Sequence, residues 1–436
     1  MLWKYLGGTT VSRAGDEMTG PALLLLGFAV TGHPATGSVL LAALTIAAAA
    51  GGPLFGALLD RSPRPDRVLA LTLAAYALGV IAMAAAVGRL PVPLVVVIAL
   101  AAGLFNPAVA GGWTSQLPRI VTGSALSRGF ALDAMTYSVA SLAGPALAAL
   151  IAAGLGARTA VLVAAALVIL AVPSACWLSR YRPAQASGPR PAPHRQVAAG
   201  FAAIVTRRPL LRATVTSVVS YAGIGMLLVC CPVLGAQRLG GSARGALLIS
   251  AIAAASLIAN WILARWLPRG QPDVRVLAST VVIGVSMAAA AAAPGWLTLA
   301  AVALGGVGEG PQLTALFAVR HRESPEHLRG QIFTTAASLK IGGLAAGAAL
   351  AGPLAGRSVT ACLLAGAGFE LCAAAAYVLI APRRRRPDQH GGRHEPDFGA
   401  GTTARSEERW LEWWSATHFG CSVVVGRLGR PAFTRV

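Results

Sequence analysis

Twelve apolar runs of membrane-spanning length constrain this chain more than any other feature. They cover roughly 8–31, 38–60, 67–88, 92–116, 128–154, 157–179, 209–236, 243–267, 274–294, 296–319, 328–355 and 358–381. An α-helix needs about 20 apolar residues to cross the hydrocarbon layer. Inside that layer the backbone has no water to bond, so only helices or closed barrels can span it. Barrel strands need only about 10 residues in alternating pattern, and these runs are longer and unbroken. The predicted fold class is therefore all-α and integral to a membrane, with twelve transmembrane helices.

Charge separates the loops. The chain is 56% hydrophobic, 12% charged and carries a formal net charge of +20. In a soluble protein such an excess would suggest nucleic acid. Here the arginines sit in short turns between apolar runs, and no basic face alternates with aromatics, so no nucleic-acid partner is expected. Loops after even-numbered spans hold Arg61, Arg64 and Arg67; Arg119 and Arg128; Arg180 to Arg208; Arg265, Arg269 and Arg275; and Arg320, Arg322 and Arg329. The opposite loops hold isolated arginines at most. The positive-inside rule then predicts that both termini are cytoplasmic. Lysine occurs only at Lys4 and Lys340, a coding bias that points to a high-GC bacterium and so to its inner membrane.

The six cysteines lack metal-ligand spacing, and the histidines fall in loops or the tail. No phosphate-cradling loop or nucleophile–base pair is readable. The expectation is no enzyme, no metal and no cofactor.

Composition divides the chain into a six-helix bundle at 1–179, a cytoplasmic linker at 180–208, a second bundle at 209–381, and a polar tail at 382–436. Proline, glycine and serine in the linker predict extended chain, and poor periodicity in the tail predicts disorder. The bundles echo each other as pseudo-repeats. Arg119 and Arg128-Gly129 match Arg320 and Arg329-Gly330 at the same interval. Two such repeats flanking a mid-membrane site is a transporter plan.

The loop from Gly51 to Arg67 is the most specific stretch. Gly56, Asp60, Arg61 and Arg64 fall in register with the signature loop of the major facilitator superfamily, which the chain resembles; Pro63 replaces the usual glycine. The resemblance implies the major facilitator fold, with a small-molecule substrate, protons and the lipid bilayer as partners. It also implies a conformational latch from Gly56, Asp60, Arg61, Arg64 and Arg67 to the region of Arg329-Gly330. Gly144-Pro145 resembles the helix-packing motif of antiporter branches, with Ala148 and Ala149 in place of later glycines. Ser12-x-x-Gly15-Asp16, Asp60-Arg61 and Ala131-Leu132-Asp133-Ala134 look like the macrolide-efflux-like drug:proton antiporters. The arginine many relatives carry in span four is absent.

Several polar residues lie inside spans. Arg13, Asp16 and Glu17 stand at i, i+3 and i+4, so the arginine is expected to pair with either carboxylate, at mid-span or in the headgroup zone. Asn106 and Trp113 share a face of span four; Asp133, Tyr137 and Ser141 share one of span five. Asp133 is also placed to pair with a loop arginine near the interface. Glu309, Lys340 and Glu370 reach similar depth near the midplane. The resemblance puts spans one, four, seven and ten around the cavity, which favours Glu309 and Asp16 as proton-coupling residues, with Asp133 as a fallback. It leaves Glu370 to packing or to a buried charge pair with Lys340. Trp113, Tyr137, Tyr221 and Trp261 serve either an aromatic substrate site or ordinary packing; Asn106, Ser141 and Gln312 complete the cavity candidates. The function expected is monomeric, proton-coupled export of small amphipathic molecules. An importer, a lipid flippase and a non-transporting receptor or scaffold are the alternatives.

Overall fold

The computed structural model describes residues 2–32, 34–123, 125–178, 193–241, 244–266 and 271–380. The tail and the first part of the linker, with the expectations attached to them, lie outside the described residues. The N-terminal half comprises α1 (Leu2–Thr31), α2 (Pro34–Arg61), α3 (Pro65–Ala86), α4 (Val92–Gly103), α5 (Gly111–Gln116), α6 (Ala125–Leu155), α7 (Ala157–Leu170) and α8 (Val172–Trp177). After α9 (Pro193–Thr206), the second half comprises α10 (Arg208–Arg238), α11 (Gly245–Trp266), α12 (Pro272–Ala292), α13 (Leu297–Glu323), α14 (Arg329–Arg357) and α15 (Val359–Leu379).

Pairing α4 with α5 and α7 with α8 gives twelve long helical segments among the described residues. Ten are long and apolar enough to cross a membrane by length and composition. The other two, α1 and α13, have the length but are interrupted by Arg13, Asp16 and Glu17 and by Glu309 and Gln312. The all-helical membrane fold read from the runs is therefore present.

Three local readings are corrected. Span four is not one helix: α4 ends at Gly103, a 3-10 turn follows at Asn106–Ala108, and α5 starts at Gly111. Pro107 has no N–H to give and disfavours helical backbone at the residue before it. The face expected to join Asn106 and Trp113 does not exist as such. Next, α1 begins at Leu2, so Arg13 lies deep within the helix, 2% exposed, and not in a headgroup zone. Finally, 193–206 of the linker is helix and not extended chain. Gln196, Gly200, Ala203 and Ile204 are buried along one side of α9, which packs against α2 and the start of α14. Pro193 stands at the first helical position, where its missing N–H costs nothing, and an alanine-rich amphipathic run follows.

The halves meet through α2 with α14, α6 with α11 and α13, and α5 with α14. Ser138 and Ser256 hydroxyls lie 2.9 Å apart across α6 and α11, and Ala131 packs with Leu263 and Ala264. Ala131 lies in the second turn of α6 and Leu263 and Ala264 in the last turn of α11, whereas Ser138 and Ser256 stand near mid-helix.

Candidate functional site

At the end that carries Asp60, small residues let α2 and α14 approach closely. A Cβ on Gly56 would collide with Thr334 Oγ1 and the Gln331 Cα. Thr334 and Ser338 hydroxyls donate to the carbonyls of Gly52 and Ala48, each at 2.7 Å. One turn below Gly56, Asp60 reaches the first turn of α14. Its Oδ1 accepts from the Gly330 N–H and its Oδ2 from the Gln331 N–H, each at 2.8 Å. Those amides have no intrahelical partner at a helix start, and the helix dipole favours an anion there. Arg119 and Arg329 add favourable charge around the carboxylate. Arg64 and Arg67, expected in the latch, are exposed. The side-chain amide of Gln331, absent from the sequence reading, donates to the Val197 carbonyl of α9 at 2.8 Å.

Above this contact lies a chain of rings from three helices. Phe317 of α13 stands 6.2 Å from Phe130 and 6.3 Å from Tyr137 of α6, and 6.1 Å from Phe333 of α14, centroid to centroid. Only Tyr137 of this group was singled out in the sequence. Isolated phenylalanines in apolar runs carry no signal that separates a cross-half cluster from ordinary packing.

Toward mid-span, charged groups keep partial exposure: Asp16, Glu17, Glu309 and Lys340 are half-buried. The Lys340 ammonium sits 4.3 Å from the ring centre of Tyr221 and 5.4 Å from that of Tyr137, one ring from each half. Glu309 and Glu17 act on it electrostatically from opposite halves. The expected partnership of Lys340 with Glu370 is absent. Glu370 is 1% exposed and takes its hydrogen bond from Ser220 at 3.0 Å. Asp16 accepts from Tyr76 and Asn106, each at 2.6 Å. Glu17 accepts from Ser141 at 3.2 Å, and α6 comes so close that a Cβ on Gly144 would meet the Glu17 Cβ at 2.6 Å. Pro145 follows inside the unbroken α6.

Arg13 does not choose between Asp16 and Glu17, as its spacing suggested. It pairs with Asp133 at 3.0 Å, with side-chain exposures of 2% and 0%. Tyr5 and Thr114 hydroxyls donate to the same carboxylate, each at 2.8 Å, and the guanidinium also donates to Thr114 and Thr136. Its carbon lies 3.6 Å from the centre of the Tyr137 ring. Asp133 therefore has no loop arginine as partner. Trp113 is fully buried, edge-on to Tyr5 at 5.8 Å, and so packs the first half instead of lining a recess. Gln312 is likewise fully buried, donating to Ser220 and Thr280. Trp261 is 49% exposed and stacks edge-on with Trp266.

Two six-segment helical halves, with ionisable groups held mid-span between them, have the build of membrane transporters. The sequence profile of the Major Facilitator Superfamily matches residues 5–347, and the chain belongs to that family. It is 29% identical over 392 residues to an uncharacterised MFS-type transporter, y4rN, of Sinorhizobium fredii, covering 87% of this chain and 95% of the relative. Among solved structures it is similar to a bacterial homologue of the iron transporter ferroportin in an outward-facing state. The TM-score is 0.68 at 14% identity, covering 87% of this chain and 98% of that one. The human organic anion transporter MFSD10 gives 0.67 at 16%, covering 86% and 98%; the E. coli fucose:proton symporter gives 0.66 at 13%, covering 87% and 98%. At such identities the likeness is one of fold.

Proposed function

We propose that this protein is a secondary active transporter that exports small amphipathic molecules in exchange for protons, working as a monomer in a bacterial inner membrane. The observation that carries the reading is the close contact between halves at the Asp60 end. Asp60 caps α14, the helices close around it, and the half-buried charges lie beyond the ring chain at mid-span. With both termini cytoplasmic, this is the outward-open state, latched on the cytoplasmic side. Alternating access then requires Asp60 to release Gly330 and Gln331 while contacts form at the other end. Lys340, Tyr137, Tyr221, Glu17 and Ser141 surround the substrate, with Asp16 and Asn106 beside them. Glu309 carries the coupling proton, because it is half-buried, faces Lys340 and Tyr221, and lies on a helix that meets the other half. Asp16 is the second candidate. Asp133 is committed to Arg13 and serves as scaffold.

Two measurements test this. A pump-deficient bacterial host expressing the protein should gain resistance to some members of a panel of amphipathic antibiotics. A protective compound should then accumulate in inverted vesicles only while a proton gradient is present. Accumulation that survives collapse of the gradient rejects the coupling; accumulation in right-side-out vesicles instead makes the protein an importer. Tags near Ser187 and after Arg386 should both be inaccessible from outside intact cells.

A further inference from the structure

One ionisable group has no part in that reading. Glu370 lies at mid-span of α15 and is 1% exposed, packed against α10 and α12. Its surroundings can be accounted for donor by donor. Gln312 Nε2 donates to Thr280 Oγ1 at 2.8 Å and to Ser220 Oγ at 3.0 Å. Thr280 donates to the Val276 carbonyl at 2.8 Å, and Ser220 donates to Glu370 Oε1 at 3.0 Å. Every donor of the cluster is thereby committed, and Glu370 Oε2 is buried with no hydrogen-bond partner.

Among the described residues no cation pairs with it. Around Glu370 stand Ser220 of α10, Thr280 of α12, and Gln312 and Glu309 of α13, and the charged group that acts on it is Glu309, a like charge. The neighbouring helices nonetheless make room for it. A Cβ on Gly223 would stand 3.1 Å from its Oε1, and one on Gly284 would stand 3.1 Å from its Cβ. An ionised carboxylate at this depth, with one oxygen bare, carries a large desolvation cost. A proton on Oε2 would remove that charge without requiring a further donor.

We propose that Glu370 is a proton-binding site, carrying its proton on Oε2 in the state seen here and distinct from Glu309. Uptake forms one O–H bond on Oε2 and release breaks it, the proton coming from and returning to water. Its use in a transport cycle rests on the transporter reading above; its occupancy does not.

Infrared spectroscopy of the full-length protein in proteoliposomes, at neutral pH in potassium chloride, tests the site without a substrate. An undissociated carboxylic-acid band is expected that shifts within minutes in D2O, disappears entirely in Glu370→Gln and survives in Glu309→Gln. Ser220→Ala should keep the band but move it, since the hydrogen bond to Oε1 is gone. An unchanged carboxylic-acid region in Glu370→Gln means the group is ionised and overturns the proposal. So does a band that resists D2O for hours, which marks an inert structural acid. Bleaching when sodium chloride replaces potassium chloride assigns the site to a metal cation and overturns the proton. Absence of gradient-driven transport by the wild-type protein, with the band intact, rejects the proton-coupled reading and leaves this assignment standing.

Discussion

The two halves treat their buried charges differently. In the first half, Arg13 and Asp133 pair at 3.0 Å and are held by Tyr5, Thr114 and Thr136, so the guanidinium and carboxylate cancel within one bundle. In the second half, the mid-span charges lack such closure. Lys340 rests on two tyrosine rings, Arg320 donates to Ser217 at 3.0 Å and has no carboxylate partner among the described residues, and Glu370 Oε2 is bare. Even the arginines matched by the internal repeat diverge. Arg119 is exposed near Asp60, whereas Arg320 is 2% exposed inside α13. A charge matched within its own bundle contributes rigidity and gains little from anything that arrives. An unmatched one gains most from a solute or from a change of neighbours. The Arg13–Asp133 cluster thus reads as frame, while Lys340 and Glu309 of the second half, with Asp16 and Glu17 facing them from the first, are the groups that respond.

The largest effect should come from breaking the frame. Arg13→Met leaves Asp133 buried without its cation, a change that costs about 3–5 kcal/mol for buried pairs. Thermal unfolding in detergent should drop sharply, and the double variant Arg13→Met/Asp133→Leu should recover much of the loss. A single variant as stable as wild type would erase the contrast between halves. Glu309→Gln should do the opposite. Its unfolding temperature should stay near wild type, while a proton gradient no longer drives accumulation and substrate exchange persists. If accumulation survives, the coupling proton belongs to Asp16.

Asp60→Asn sharpens the comparison at the seam. Asn keeps one acceptor and sets an NH2 against the other backbone N–H, so losing the charge and one of the two bonds that cap α14 should cost about 1 kcal/mol or more, which shifts the balance of states at least roughly fivefold. A cysteine placed at Ser141 should then become more accessible from the cytoplasmic side, with insertion unaffected. Unchanged accessibility and full transport together would dispose of the latch.

Much of this was legible in the sequence, for physical reasons. Lipid demands long apolar helices, so α2 at 34–61 and α6 at 125–155 lie within a few residues of the runs that announced them. The Asp60 contact with Gly330 was legible because the signature loop carries its own geometry. What could not be read was long-range choice. Arg13 has carboxylates three and four residues away on its own helix, yet its partner is 120 residues distant. Local spacing says which pairs are near and nothing about which helix packs opposite. Pro107 breaks span four, but the apolar length of 92–116 reads as one helix when run length alone is counted. Gln331, Phe317 and Phe333 gain their roles only from what faces them across the seam.

The smallest expected effect is also the most discriminating between the halves. Arg320 is as buried as Arg13, but no carboxylate forms an ion pair with it among the described residues. Removing it orphans no opposite charge, and deletes a guanidinium whose desolvation is poorly offset. Arg320→Met should therefore unfold at the wild-type temperature or slightly above it, within about 1 kcal/mol, where Arg13→Met is severely destabilised. Ser217 loses a donor but keeps its own hydroxyl proton to satisfy elsewhere. Transport should nonetheless fall, since a buried cation near Tyr137 and Tyr221 with so little structural return is kept for what it does to the recess. If Arg320→Met lowers the unfolding temperature as far as Arg13→Met does, an unseen partner balances this charge as well. The second half would then be a frame like the first.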